Sequence, residues 1–262
     1  MRFFGRKKRD VKIGLCLSGG GARGFAHIGA VRAFEEAGIK FDLIVGVSAG
    51  AIIGALYAAG VKSSEMERYG AALEMKRVHS GPIFAPNDAA NIGRIVTDIV
   101  GDADIEKFPT KFACVAVDLV EAREVVIDSG PVGIAVSASA AVPAIFRPVV
   151  RGEQHLVDGG LLNNIPSDVC RMLGADKVVT VDINSARGGG TKELGLVPVV
   201  KASLSIALAN SSLKGFANTD VLIAPDTARF KSTDKAGYDE MIEEGYKAAL
   251  GKLGKIEELR NA

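Results

Sequence analysis

Cysteine is scarce in this 262-residue chain: Cys16, Cys114 and Cys170 stand far apart, odd in number and without a CxxC pair. A disulfide framework and a cysteine-based zinc site are thereby excluded, a reducing compartment fits best, and each thiol reads as a small buried apolar group. Histidine is limited to His27, His79 and His155. Net charge is nearly absent as well: 32 basic against 31 acidic residues leave +1, which gives no electrostatic case for nucleic acid as a partner. A clean membrane span is missing too. The 19 residues 43–61 carry no charge, but Gly46, Ser48, Gly50, Gly54 and Gly60 divide them into strand, turn and helix. Residues 11–17 after a basic start imitate a secretory leader, yet Lys12 interrupts the apolar core and Leu15 precedes Cys16 where a lipoprotein site wants a small residue. No internal repeat recurs. The expectation is a cytoplasmic protein without a transmembrane segment, of unspecified oligomeric state.

What is abundant is glycine, 31 residues or about 12% against a usual ~7%. Such a chain repeatedly needs close backbone approach or positive φ. Five basic residues and one acidic crowd the first ten positions, a segment expected to be flexible and able to touch the inner face of an anionic membrane, or else simply a solvated chain end. Residues 11–262 are expected to form one domain.

Strands and helices alternate. Short apolar runs at 11–17, 42–47, 111–117, 124–127, 177–183 and 220–224 read as strands. Helices are expected over 24–37, with Phe25, Ile28, Val31 and Phe34 on one stripe, over 49–59, apolar on every side, and over 234–250. The uncharged run 129–146 is too broken by Gly and Pro to span a membrane, and 187–191 reads as a flexible loop. Residues 195–213, apolar with Lys201 as the one charge, read as a core helix, or alternatively as a lid or acyl-chain wall. The fold class is α/β, a three-layer α/β/α sandwich around a mostly parallel sheet.

Three glycine-centred motifs carry chemistry. Gly19-Gly20-Gly21-Ala22-Arg23-Gly24, between a strand and a helix, offers backbone amides to an anion. The anion could be a dinucleotide pyrophosphate or a reaction oxyanion; for the former, the acid expected on the second strand is Asp42, which opens that strand instead of closing it. Gly46-Val47-Ser48-Ala49-Gly50 closes the strand and matches a nucleophile elbow, its flanking glycines removing side chains that would clash at a strained turn. The bland alternative is that Ser48 caps the helix. Leu156-Val157-Asp158-Gly159-Gly160 sets a carboxylate before two glycines; the bland alternative is a solvent-facing Asp-Gly turn.

A serine nucleophile needs a base. A Ser48–Asp128–His155 order follows triad logic, with Asp118 a further acid before His155, but the elbow comes too early and the histidine too far from the end for an α/β-hydrolase. His79 reads as part of a solvated loop, and His27 lies beside the glycine loop. Asp158 could instead deprotonate Ser48 directly, since burial raises a carboxylate's pKa and makes it a better base.

Taken together, the three motifs resemble the patatin-like phospholipases, particularly the bacterial ones. The likeness extends to Ala138-Ser139-Ala140-Ala141-Val142-Pro143-Ala144-Ile145-Phe146 and Asn163-Asn164-Ile165-Pro166, and covers about 11–183. Ser18 stands where plant members often carry aspartate and Gly160 where many have alanine, departures read as leaving the dyad untouched. The resemblance implies a patatin-like fold with Ser48 as nucleophile and Asp158 as base. It also implies an oxyanion hole within Gly19 to Gly24, formed by amides around Gly20, Gly21 and Ala22, with Arg23 orienting the loop or adding positive charge. The substrate would be a fatty-acyl ester, with no cofactor and no metal. Two other classes stay open: a dinucleotide-dependent oxidoreductase, and a non-catalytic lipid-binding regulator.

Overall fold

A computed structural model describes residues 10–75, 88–184, 192–230 and 237–261. The basic segment before Asp10, His79 and the 187–191 loop therefore lie outside the described residues, apart from Asp10 itself.

In chain order the elements are β1 (Ile13–Leu17), α1 (Phe25–Glu36), β2 (Leu43–Gly46), α2 (Ala49–Ala58), α3 (Ser63–Met75), α4 (Ala90–Val100), β3 (Lys111–Asp118) and β4 (Arg123–Ile127). Then follow α5 (Val132–Ser139), β5 (Val149–Arg151), β6 (Gln154–Asp158), α6 (Ser167–Met172), β7 (Lys177–Val181), α7 (Leu196–Ser211), α8 (Leu213–Ala217), β8 (Val221–Ile223), α9 (Tyr238–Leu250) and α10 (Leu253–Asn261). All strands join one sheet in the order β5-β6-β3-β2-β1-β7-β8, with β4 paired to β3. The five strands β3-β2-β1-β7-β8 run parallel; β4, β5 and β6 are antiparallel additions at one end.

Side-chain alternation explains the layering. Ile13, Leu15 and Leu17 of β1 face one way, into a core with α1, α2, α5 and α9, while Cys16 faces the other, with Val45, Val115 and Cys170 under α6. Both faces are covered, so the strands are apolar throughout, as parallel strands between helical layers must be. This is the expected three-layer α/β/α architecture. All three cysteines are free and buried, and burial pushes the Cys114 thiol up to about 12, which keeps it protonated and inert.

Two local expectations are corrected. The last long helix begins at Tyr238, not 234; of the difference, 234–236 lie outside the described residues. More consequentially, 196–211 is a helix but not a core helix: none of its described residues is buried. Its apolar composition suggested burial, but among the described residues its main packing partners are the turn Gly159–Leu161 and α8.

The sheet also contains two strands that the sequence did not announce, β5 and β6. β2 ends opposite Cys114, and β6 then takes up the same edge of β3, with Asp158 opposite Ala116. The other edge is occupied by β4 from Cys114 to Asp118, so β2 and β6 meet end to end. Because β6 is antiparallel to β3, its C-terminal residue, Asp158, is the one that arrives beside the C-terminal end of β2. One residue of β3, Val115, lies between the two partner positions, which are about 7 Å apart along the strand.

Candidate active site

Ser48 is placed by the turn from β2 into α2. Its backbone has φ 54 and ψ −121, a left-handed conformation that is strained for any residue with a side chain. The flanking glycines permit it: a Cβ on Gly46 would lie 2.3 Å from the Gly50 carbonyl oxygen, and one on Gly50 would lie 2.2 Å from that of Leu17. Ser48 stands at the N-terminus of α2, yet its side chain makes no capping hydrogen bond, which overturns the plain-cap reading. The amide of Ser48 donates instead to Ser139 Oγ at 3.1 Å, and that hydroxyl donates to the Val115 carbonyl at 2.7 Å. Ser48 is nearly buried, 8% exposed.

Asp158 ends β6. Its Oδ1 accepts from the Gly160 amide at 2.8 Å, so the turn-capping bond of an Asp-Gly pair is present, but the residue is 4% exposed and does not face solvent. Burial pushes its carboxyl up to about 6, while the nearby Ser48 hydroxyl and the hydrogen bond from the Gly160 amide pull it back. Ser48 and Asp158 are thus brought together. A Cβ on Gly160 would stand 2.7 Å from Leu208 Cδ2 of α7, 2.8 Å from Asn164 Oδ1 and 3.0 Å from Asp158 Oδ1, so this position packs closely against the carboxylate.

The glycine loop lies over Ser48, since a Cβ on Gly19 would be 3.2 Å from Ser48 Cβ. The Gly19 amide donates to the Asn164 carbonyl at 3.3 Å and is already engaged, so it is removed from the set of anion donors. For Gly20, Gly21 and Ala22, which open the short 3-10 turn Gly21–Gly24, no backbone acceptor is recorded among the described residues. First-turn amides have no partner within their own helix, which leaves these three for an anion. The loop is tied down from behind. Asn184 Nδ2 donates to the Gly19 carbonyl, Ile183 N to Ser18 Oγ at 3.0 Å, and Arg23 Nε to the Phe230 carbonyl at 2.8 Å. Arg23 also reaches Asn184 Oδ1 at 3.4 Å, so the orienting role expected of it has a structural basis.

His27 is fully buried, and its Nε2–H donates to the Ser18 carbonyl at 2.9 Å. Burial holds its pKa down at about 4 against the pull of that bond, so the ring is neutral and structural. The triad alternative is not assembled: His155 is exposed on β6, Asp128 is exposed after β4, and the Asp118 carboxylate accepts from the amides of Val120 and His155. For a dinucleotide, Asp42 is at the wrong end of the sheet, accepting at 2.7 Å from the amide of Ile13, the first residue of β1. No group of three or more His, Cys, Asp or Glu is placed to hold a metal among the described residues.

Sequence reasoning missed Ser139, Asn164 and Asn184. The first two stood in the stretches recognised by resemblance, but no spacing marked either as a support of the site.

Comparison with known proteins gives a consistent picture. Residues 15–171 match the family model for patatin-like phospholipase. An uncharacterised NTE family protein of Mycobacterium tuberculosis is 28% identical over 282 aligned residues, which cover 95% of this chain and 48% of that protein. Lysophospholipase nte1 of Aspergillus fumigatus is 34% identical over 181 residues, covering 66% of this chain and 12% of that one. The chain thus spans about half or less of the length of these relatives. Among solved structures, VipD from Legionella pneumophila superposes with a TM-score of 0.55 at 14% identity, over 94% of this chain and 67% of that one. Human GIVD cytosolic phospholipase A2 bound to methyl gamma-linolenyl fluorophosphonate does so with a TM-score of 0.55 at 9% identity, over 98% and 60%. At such identities the structural likeness shows the fold.

Proposed function

The chain belongs to the patatin-like phospholipase family, and from that membership we propose that it is a serine lipid acyl hydrolase working through Ser48 and Asp158. The observation that carries the reading is the end-to-end meeting of β2 and β6 on one edge of β3, which puts a strained, uncapped serine beside a buried, hydrogen-bonded carboxylate.

Ser48 Oγ attacks the ester carbonyl of an acyl lipid as Asp158 takes its proton. The tetrahedral oxyanion is held by the amides of Gly20, Gly21 and Ala22, aided by the N-terminal end of α2. The ester C–O bond breaks, the alcohol leaves with the proton returned by Asp158, and the acyl group remains on Ser48. Water, giving its proton to Asp158, then attacks the acyl-enzyme; the acyl–Oγ bond breaks, the fatty acid is freed, and Asp158 returns the proton to Ser48 Oγ. Buried free thiols suit the cytoplasm, the compartment to which we assign the protein; among the described residues no helix is long and apolar enough to cross a membrane.

The test is covalent labelling by a fluorophosphonate probe. Wild type is expected to label, Ser48→Ala not at all, and Asp158→Asn more slowly by about 10²-fold or more. Undiminished labelling of Ser48→Ala rejects the nucleophile. Wild type that never labels yet binds acyl lipid is a non-catalytic lipid-binding protein.

A further inference from the structure

α7 is predominantly apolar, its polar residues being Lys201, Ser203, Ser205, Asn210 and Ser211, a composition that calls for cover by protein or lipid. It is enclosed by neither. Leu196, Val199, Val200 and Ile206 are 42–76% exposed, and Leu194 at 95% and Leu213 at 57% extend the patch beyond both ends. A contiguous exposed aliphatic surface of this kind marks a docking face. The inner side of the helix reaches the site: Ser211 Oγ donates to the Gly160 carbonyl at 2.7 Å, and Leu208 stands against Gly160, whose amide holds the Asp158 carboxylate.

We infer that α7 is an interfacial helix that lies on an anionic lipid surface and sets that surface against the Ser48–Asp158 site. This deepens the hydrolase reading and rests on it for its purpose, because the substrate of such an enzyme resides in that surface. Three features favour lipid over protein as the occupant. Residues 194–213 contain no aromatic and no arginine, the residue types that anchor protein interfaces. Lys192 before the stretch, Lys201 within its sequence and Lys214 after it, the last ion-paired with Asp168, outnumber the one acid of residues 192–214, Glu193, and leave the stretch net positive toward an anionic headgroup layer. The 16 residues of the helix are too few to span a bilayer, so it lies in the plane of the interface.

The chain has no tryptophan, so a single introduced one reports on its own surroundings. The experiment uses the full chain carrying Ser48→Ala, which removes turnover from the readout, and vesicles of phosphatidylcholine and phosphatidylglycerol. Ile206→Trp emission is expected to shift to the blue on adding vesicles and to be quenched by brominated acyl chains. Leu250→Trp, 52% exposed on α9, is expected to show neither change. Val200→Asp with Ile206→Asp is expected to weaken vesicle partitioning about tenfold or more, with an unchanged melting temperature. Unchanged partitioning in that double variant overturns the inference. So does a self-associated protein that the double variant dissociates while vesicle binding persists, which makes the face a contact between two copies. Failure of the hydrolase reading shows separately, as wild type that no fluorophosphonate labels.

Discussion

Ser139 holds the backbone of Ser48: its hydroxyl accepts from the Ser48 amide at 3.1 Å while donating to the Val115 carbonyl at 2.7 Å. One fully buried hydroxyl therefore ties the strained elbow to β3, the strand that also carries β6 and Asp158.

Ser139→Ala leaves a buried amide and a buried carbonyl without that partner. The expected cost is about 1–3 kcal/mol of stability and about a tenfold fall in kcat with little change in KM, because the hydroxyl touches the elbow and not the substrate. Thermal melting and steady-state kinetics on a soluble ester check both parts. A rise in KM alone would place Ser139 in substrate binding instead.

How much of this was legible in the sequence follows from what is local. The loop after β1 and the elbow after β2 are turns whose glycines and following helices are written side by side, so Gly19 to Gly24 and Gly46 to Gly50 declared themselves. β6 did not. Its five residues alternate too briefly for a period to show, and its place beside β2 is set by pairing with β3 across about 40 residues of chain. Ser139 sits in a run of small uncharged residues where nothing distinguishes one serine from the next. For α7, composition was read as burial, but burial depends on neighbours that composition does not supply.

The pH dependence follows from Asp158. A carboxyl held up at about 6 is a base only above that value, so kcat/KM is expected to rise through an apparent pKa near 6 and level off above it. Stability runs the other way. Keeping the group charged in its buried place costs about 3 kcal/mol at neutral pH. An acid whose folded pKa is raised contributes stability below its ordinary value and loses it as pH rises through the folded one. Asp158→Asn is therefore expected to be inactive and to match wild type in stability near pH 4. It gains up to about 3 kcal/mol on wild type above pH 6, measured by denaturant unfolding across that range.

Gly50 tests the elbow as a steric construction. A Cβ there would stand 2.2 Å from the Leu17 carbonyl oxygen, whereas one on Gly251 would meet nothing closer than 3.7 Å. Gly50→Ala is expected to cost about 3 kcal/mol or more, or to prevent folding. Gly251→Ala, at a helical φ of −66, is expected to be neutral or slightly stabilising. Equal melting temperatures for the two variants would remove the close approach of α2 to β1 as the reason for the second elbow glycine.

His27 gives the opposite acid response. Its imidazole is held neutral, with the pKa lowered to about 4, while its Nε2–H supports the Ser18 carbonyl at the root of the glycine loop. A histidine depressed in the folded state contributes stability above its ordinary value and loses it as pH falls toward the folded one, because the unfolded chain takes up the proton first. His27→Gln keeps a donor of similar reach and has no titration. Its stability relative to wild type is therefore expected to improve by about 3 kcal/mol between pH 6.5 and pH 4, other titrations cancelling in the difference. His27→Leu removes the donor and is expected to lower kcat about tenfold by loosening Ser18 and the amides of Gly20 to Ala22. Should His27→Leu turn over as fast as wild type while the pH response still disappears, the ring is a packing element of α1 and the loop is held without it, by Asn164, Ile183, Asn184 and Arg23.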